Sequence, residues 1–524
     1  MDYTPSPHLT QNWLLTKPSA SGKRGMVVSQ VRSAAEAGVA ILDAGGNAID
    51  AAVGTALALA AVEPWNSGLG GIGFALVHRA GQPRADVVDF GPVAPRGLSP
   101  SSFKLTGKMS HGQFAWAEVE RDANIHGPLA VAIPSSTAGY AKMHQTWGKL
   151  PFADVIAPAI ALAKRGLPGD WYTTLKVASA AAVFRNYAES ARVYLPDGLP
   201  RSPPYQGSPG FFRLGNLPAT MERLGHVGLR DYYEGDIAAT IASDIKALGG
   251  VLSAQDLREC QARILPATEY NWRGKTLQLT GGLTAAPTMM RVLDQMSEVQ
   301  YGPAPDAAWF TALARAMKSA YAERLTGLGD ADPLAAETCT THLTVCDQEG
   351  TMVAMTTTLM SLFGSKVMLP GAGVMLNNGV MWFDPRPNQA NSIAGGKRPL
   401  TNMLPIIVKQ DNRPWLAAGA SGGRRILAAV TQMMSFVADF GMTLDEAGHQ
   451  PRIDVSDDHS VSVDPRMPAD VIAALTKDGR TEVAEHGVMP INYACPNVIT
   501  REAGGSVRGI SDAASPWSRA VAQA

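Results

Sequence analysis

Cysteine is scarce in this chain: Cys260, Cys339, Cys346 and Cys495 are the four in 524 residues. Their separations match no metal-binding pattern, and four are too few for a disulfide framework, so a reducing compartment or buried thiols are expected. Net charge is missing as well. The 45 Lys and Arg against 46 Asp and Glu leave a formal charge of −1, with no block of like sign anywhere. That removes the electrostatic case for nucleic acid or an anionic membrane as partner. Long apolar runs are absent too. The most apolar stretch, Ala51 to Val62, is alanine-rich and falls short of the roughly 20 residues that a membrane span needs. The first residues, Met1-Asp2-Tyr3-Thr4-Pro5, carry an acid and a proline where a secretory leader would begin basic and turn apolar. The expectation is a soluble, cytoplasmic protein. Histidines are scattered, with no His-Glu-x-x-His pattern, so neither a metal nor a cofactor is expected. Spacing picks out no carboxylate pair for glycoside chemistry, and no repeat of fixed period is visible.

What is present centres on Glu337 to Thr358. Two runs rich in Thr, Val and Leu flank the polar turn Asp347-Gln348-Glu349-Gly350, which predicts a β-hairpin. In the first run Thr340, His342, Thr344 and Cys346 share one face, and Thr341, Leu343 and Val345 share the other. The run opens on hydroxyl side chains, shortly after the acidic, loop-like Gly329-Asp330-Ala331-Asp332-Pro333. A threonine that starts a buried strand behind a loop is where chain scission would create an N-terminal nucleophile. Threonine is also simply a good strand residue, and this stretch alone does not separate the two readings.

The rest of the chain, which is long enough for one to three domains, reads as strands followed by helices. A short strand at Gly25–Gln30 precedes a helix over Ser33–Leu42. Asn47 then caps a helix from Ala48 to Val62, which Glu63-Pro64 ends. A strand pair is predicted at Phe74–His78 and Ala85–Phe90, and helices dominate residues 135–250. Extended segments fill 261–280, helices cover Thr288–Val299 and Asp306–Arg324, and strands at Pro405–Val408 and Pro414–Ala418 lead to a helix at Ile426–Asp439. Hairpins between helices with no strand–helix–strand repeat predict layered α+β architecture, not a doubly wound parallel sheet.

Two glycine clusters invite chemistry. Gly68, Gly70 and Gly73 have the spacing of a dinucleotide turn, but a helix precedes them and a strand follows, the reverse of what that turn requires. Close packing is the better reading. Gly419-Ala420-Ser421-Gly422-Gly423 fits a nucleophile elbow, with a strand before and a helix after. A serine hydrolase using Ser421 would need an acid and then a histidine downstream, where His449, His459 and His486 remain, and a parallel sheet upstream, where the pattern is hairpins. The alternative use of Gly422-Gly423 is as an oxyanion hole at a helix start; a plain structural turn stays open as well. His342 reads as a hydrogen-bonded core residue more than as a base.

Taken together, the blocks Gly25-Met26-Val27-Val28, Gly45-Gly46-Asn47-Ala48-Ile49-Asp50, Gly68 to Phe74, Thr340-Thr341-His342, Leu376-Asn377-Asn378, Lys397-Arg398-Pro399-Leu400 and Gly422-Gly423 resemble the γ-glutamyltransferase family of N-terminal-nucleophile hydrolases, over nearly the whole length and in the family's order. The resemblance implies a four-layer αββα sandwich, made as a precursor that cuts itself between Cys339 and Thr340. The products would be a large fragment 1–339 and a small fragment 340–524, intertwined as a heterodimer. It implies that Thr340 is the nucleophile, with its freed amine (pKa about 7.7–8.0) as its own base, that Thr358 hydrogen-bonds it, and that Gly422 and Gly423 hold the oxyanion. The implied substrate is a small-molecule amide.

The positions that grip a glutamyl head group in the family differ here. Gly91 stands where an arginine follows Asp-Phe, Met360 where an asparagine is expected, Gly379 for a glutamine, Trp382 for an aspartate, and Thr401-Asn402 for a serine pair. Each lost charge-assisted hydrogen bond removes about 1.5–3 kcal/mol, so glutathione is expected to be a poor donor and the pocket to be apolar. Arg96 and Arg386 are the candidates for holding an acid group from another direction. The loop from Trp382 to Lys397 is short beside lidded family members, which predicts an open site. The segment between Arg324 and Thr340 is shortened too, with a bearing on self-cleavage. The remaining readings are a γ-glutamyltransferase with a rearranged donor site, the Ser421 hydrolase, and an uncleaved member that only binds.

Overall fold

The computed structural model describes residues 15–109, 116–327, 338–456, 460–484 and 494–524. The acidic segment Gly329–Pro333 and the histidines His459 and His486 lie outside them. Two seven-stranded sheets form the centre. Their strands, numbered along the chain, are β1 (Ala20–Gly22), β2 (Met26–Ser29), β3 (Ile72–His78), β4 (Asp86–Phe90), β5 (Arg263–Pro266), β6 (Thr268–Trp272), β7 (Lys275–Leu279), β8 (Thr338–Cys346), β9 (Met352–Ser361), β10 (Ile406–Gln410), β11 (Arg413–Ser421), β12 (Cys495–Arg501), β13 (Val507–Ser511) and β14 (Arg519–Ala522). One sheet runs β14–β2–β8–β9–β3–β4–β5 and the other β1–β13–β12–β11–β10–β7–β6. Every pairing in both is antiparallel. The layered α+β expectation holds, and a nucleophile elbow loses the parallel sheet that it requires.

Three separate apolar cores make the layers. Helices α1 (Arg32–Asp43) and α2 (Ala48–Val62) pack on the outer face of the first sheet, around Val27, Ala75, Leu343 and Met355. Between the sheets, Met26, Val28, Leu76 and Cys346 meet Ile407, Ala417 and Ile499. Helices α3 (Ala286–Met296), α4 (Ala307–Gly327) and α5 (Arg425–Ala438) cover the far sheet. The order is helix, sheet, sheet, helix: the αββα sandwich. Strand side chains alternate between faces, so each sheet buries both faces, which explains runs such as Ile406-Ile407-Val408 with little polar alternation.

α2 shows why so much alanine was needed. All fifteen of its residues are buried, so only small side chains let neighbours approach from every direction. Asn47 caps it by accepting from the amides of Ile49 and Asp50, both at 3.0 Å. The Asp347 carboxylate in the hairpin turn accepts from the Ala48 amide at 3.0 Å, fastening the central hairpin to the helix start.

Face-to-face packing of the sheets sets β8 against β11. A Cβ at Gly419 would sit 2.2–2.6 Å from atoms of the His342 ring. Gly419→Ala is therefore expected to cost about 1–3 kcal/mol of stability through overpacking; urea unfolding of the variant against the parent checks this.

Candidate active site

The pairing of β8 with β9 is regular from Thr341 to Cys346 but shifts between Cys339 and Thr341. Thr340 sits on this irregularity. Bulges re-aim a side chain relative to its ladder, and here the Thr340 hydroxyl lies 3.2 Å from that of Thr358. The Met360 amide donates to Thr358 Oγ1 at 2.7 Å. Met360 itself has φ of 86°, a left-handed value unusual for a non-glycine residue, next to the candidate nucleophile.

At the end of β11 the chain turns through Gly422 (φ 135°) and Gly423 (φ 60°) before α5 begins at Arg425. Both angles favour glycine, and a Cβ on Gly422 would meet Ala494 at 2.8 Å. The turn leads into a helix N-terminus, where backbone N–H groups and the helix dipole favour negative charge. Its level along the sandwich follows from two contacts: Gly419 rests on His342, and Gln30 links Ser421 to the Thr340 backbone. The glycine pair therefore follows Ser421 at the Thr340 end of β8.

The Gln30 carboxamide takes the orientation its neighbours select, with nitrogen toward the Thr340 carbonyl oxygen (3.2 Å) and oxygen on the Ser421 hydroxyl. Ser421 also contacts the Cys495 thiol. His449, the one downstream histidine among the described residues, is bound to the Lys17 amide and the Asp445 carbonyl. Ser421 thus has structural partners and no base among the described residues. His342 is fully buried, its Nδ1 2.9 Å from Thr356 Oγ1. Desolvation pulls its pKa down to about 3, so it stays neutral and is a core residue, as expected.

The candidate recognition positions are filled by packing. Gly91 donates its amide to Asp89 at 2.9 Å, and a side chain there would run into the Phe74 ring. Asp89 is bridged by Arg263 and Arg398. Met360 and Trp382 are buried in an apolar cluster with Ile72, Phe74, Trp116 and Met381. Gly379 donates to Asn377 Oδ1 at 2.9 Å. The Thr401 hydroxyl donates to the Leu283 carbonyl at 2.9 Å, and Arg324 reaches the Thr401 carbonyl (2.7 Å) and Asn402 Oδ1 (3.2 Å). These two side chains are tied into the framework.

Arg96 pairs with Glu259 at the surface, and Arg386 grips Asp384 with contacts of 3.0 and 2.6 Å. The short loop predicted an open site, whereas in the uncut chain Thr340 is 4 % exposed and Trp382 6 %. One buried polar residue near the threonines carried no motif in the sequence. Glu63 ends its helix as expected, and its carboxyl accepts from Thr341 Oγ1 and from Asn66 Nδ2, the latter at 2.7 Å, inside the protein. The one available signal was a charged residue closing an otherwise wholly apolar helix.

Burial raises the Glu63 pKa to about 8; its bonds from Thr341 and Asn66 and the charge of Lys176 on the neighbouring helix Trp171–Phe184 oppose that shift without cancelling it. Unfolded, this carboxyl ionises near 4.5. Between those values the unfolded chain releases the proton and the native state keeps it, so stability falls as pH rises across the window. Thermal unfolding from pH 5 to 8 should show a shallower decline for Glu63→Gln than for the parent.

The structure superposes on a cephalosporin acylase from Bacillus halodurans with a TM-score of 0.83 and 22 % identity, covering 100 % of this chain and 99 % of that one. The two share the αββα sandwich fold. The sequence model of the gamma-glutamyltranspeptidase family matches residues 34–338 and 333–522, and the chain belongs to that family. Relatives include a glutathione hydrolase proenzyme of Bacillus subtilis (strain 168), 28 % identical over 94 % of this chain and 90 % of the relative. The acylase ACY 1 proenzyme of Pseudomonas sp. (strain V22) is 30 % identical over 89 % of this chain and 88 % of the relative. The protein is an enzyme of this family, of the amidohydrolase or acyltransferase type, and both of these relatives are named as proenzymes.

Proposed function

We propose that the chain cuts itself between Cys339 and Thr340 and then hydrolyses an amide whose acyl group lacks the α-amino-glutamyl head. The observation that carries this reading is the 3.2 Å contact between the Thr340 and Thr358 hydroxyls at a strand irregularity. In maturation, Thr340 Oγ attacks the Cys339 carbonyl carbon and the Thr340 nitrogen leaves with a proton. Water then hydrolyses the resulting ester, releasing the Cys339 carboxylate and restoring the Thr340 hydroxyl beside the amine that the shift has freed. In turnover that amine takes the hydroxyl proton as Oγ attacks the substrate amide, and it passes the proton to the leaving amine. The acyl-threonine ester is hydrolysed by water or transferred to another acceptor. Gly422 and Gly423 donate to the oxyanion in both stages.

Fragments 1–339 and 340–524 would stay together as a heterodimer. Strands from before and after Thr340 interleave in both sheets, so separating the pieces would break each sheet at several places.

The acyl preference rests on the apolar cluster and on the absence of the family's donor-gripping side chains at Gly91, Met360, Gly379 and Trp382. An acylase among the relatives favours this; the relatives named glutathione hydrolase favour a second reading, a γ-glutamyltransferase with a rearranged donor site. Assaying γ-glutamyl-anilide beside glutaryl- and simple acyl-anilides decides between them. Turnover of the acyl-anilides at least ten times that of the glutamyl compound is expected; the reverse preference would refute the apolar-pocket argument.

A further inference from the structure

On the face of β8 opposite Thr340, five polar side chains meet in an otherwise apolar interior: Gln30 after β2, Glu63 and Asn66 after α2, Thr341, and Ser421 at the end of β11. All are between 0 and 8 % exposed. Glu63 accepts from the Thr341 hydroxyl and from Asn66. The Gln30 nitrogen lies 3.2 Å from the Thr340 carbonyl oxygen and 3.0 Å from Thr341 Oγ1. A buried carboxyl is a poor device for stability, since desolvation works against its charged form and an apolar residue of similar size would pack as well. Its location says more. β8 loses register with β9 between Cys339 and Thr341, so ladder support is weakest where Thr340 must be aimed. Scission would then turn Thr340 into a chain end, and chain ends fray unless tied down.

We propose that Glu63 and Gln30 are positioning residues that clamp the Thr340–Thr341 peptide from behind, keeping the new N-terminus against Thr358 and, through Ser421, at a fixed distance from the Gly422–Gly423 turn. The clamp comes from the fragment before the cut and grips the first two residues after it. This rests on the reading of Thr340 as nucleophile.

The test uses the purified wild type and the variants Thr341→Val, Glu63→Leu and Glu63→Gln, with the best anilide from the donor screen. Thr341→Val removes the gripped hydroxyl with little change in shape. A nucleophile displaced by about 1 Å loses on the order of 10²-fold in rate. Thr341→Val and Glu63→Leu should therefore lower kcat by about 10- to 100-fold with KM within about twofold. Glu63→Gln, which can donate to Thr341 and accept from Asn66, should restore kcat to within about threefold of wild type. A Thr341→Val kcat within twofold of wild type overturns the clamp, as does a Glu63→Gln variant as slow as Glu63→Leu. If Glu63→Leu is insoluble, Thr341→Val decides alone. Wild type that is active yet uncut at position 340 sinks the underlying reading; cut, active wild type with an unaffected Thr341→Val sinks only the clamp.

Discussion

Thr340→Ala is expected to migrate as one band at the full 55.3 kDa and to show no measurable turnover. The substitution removes the attacking oxygen for both scission and acyl transfer. Losing a catalytic nucleophile typically lowers kcat on the order of 10⁴- to 10⁶-fold. Folding should survive, because Thr340 contributes one hydroxyl contact at an irregular point of the strand and the Thr341–Cys346 register does not depend on it. Circular dichroism matching the parent, with one band and no activity, is the expected set. If the variant keeps turnover while Ser421→Ala loses it, the serine takes over the role assigned to Thr340. That outcome is disfavoured by the partners Ser421 already has, Gln30 and Cys495.

Gly422→Ala has the second largest expected effect. An alanine there must adopt φ of 135° and place its Cβ 2.8 Å from Ala494, so the backbone must move. Two losses combine. Strain of about 1–3 kcal/mol lowers stability, and a displaced N–H donor removes about 2.7–4 kcal/mol of transition-state stabilisation, or 10²- to 10³-fold in kcat. KM should change little, because the donor acts on charge that develops only in the transition state. Maturation should slow as well, since scission passes through the same kind of oxyanion. Measuring kcat, KM and the rate of band conversion together separates this from a plain structural turn, which would lower the melting temperature while leaving kcat of the folded fraction alone.

The fold was largely legible before any coordinates because its elements carry local signals. Asn47 marked a helix start, Glu63-Pro64 a helix end, and Asp347 to Gly350 a hairpin, and each is where the structure has it. The short strand at Met26–Ser29 was legible, but its edge partner at Arg519–Ala522 and the strand at Ala20–Gly22 were not. Ala20–Gly22 pairs with Val507–Gly509, and Met26–Ser29 with Arg519–Ala522, across nearly the full chain, and no local pattern records such a pairing. In the site, the threonines and the glycine pair could be named from sequence because the resemblance supplied roles for them. The state of Met360, Trp382, Arg96 and Arg386 could not. Whether a side chain lines a cavity, packs in a cluster or pairs with a neighbouring carboxylate depends on tertiary partners such as Glu259 and Asp384. Glu63 was missed for a related reason: a charged residue at a helix end is ordinarily solvated, and only the packing of α2, β8 and β11 seals it inside.

The central claim is that a broken backbone creates the working group. Intact mass analysis of fully active protein, with N-terminal sequencing of the smaller species, tests it most directly. The account predicts two fragments whose masses sum to the precursor plus one water, the smaller beginning Thr340-Thr341-His342. Fully active material with an unbroken chain through position 340 would contradict it.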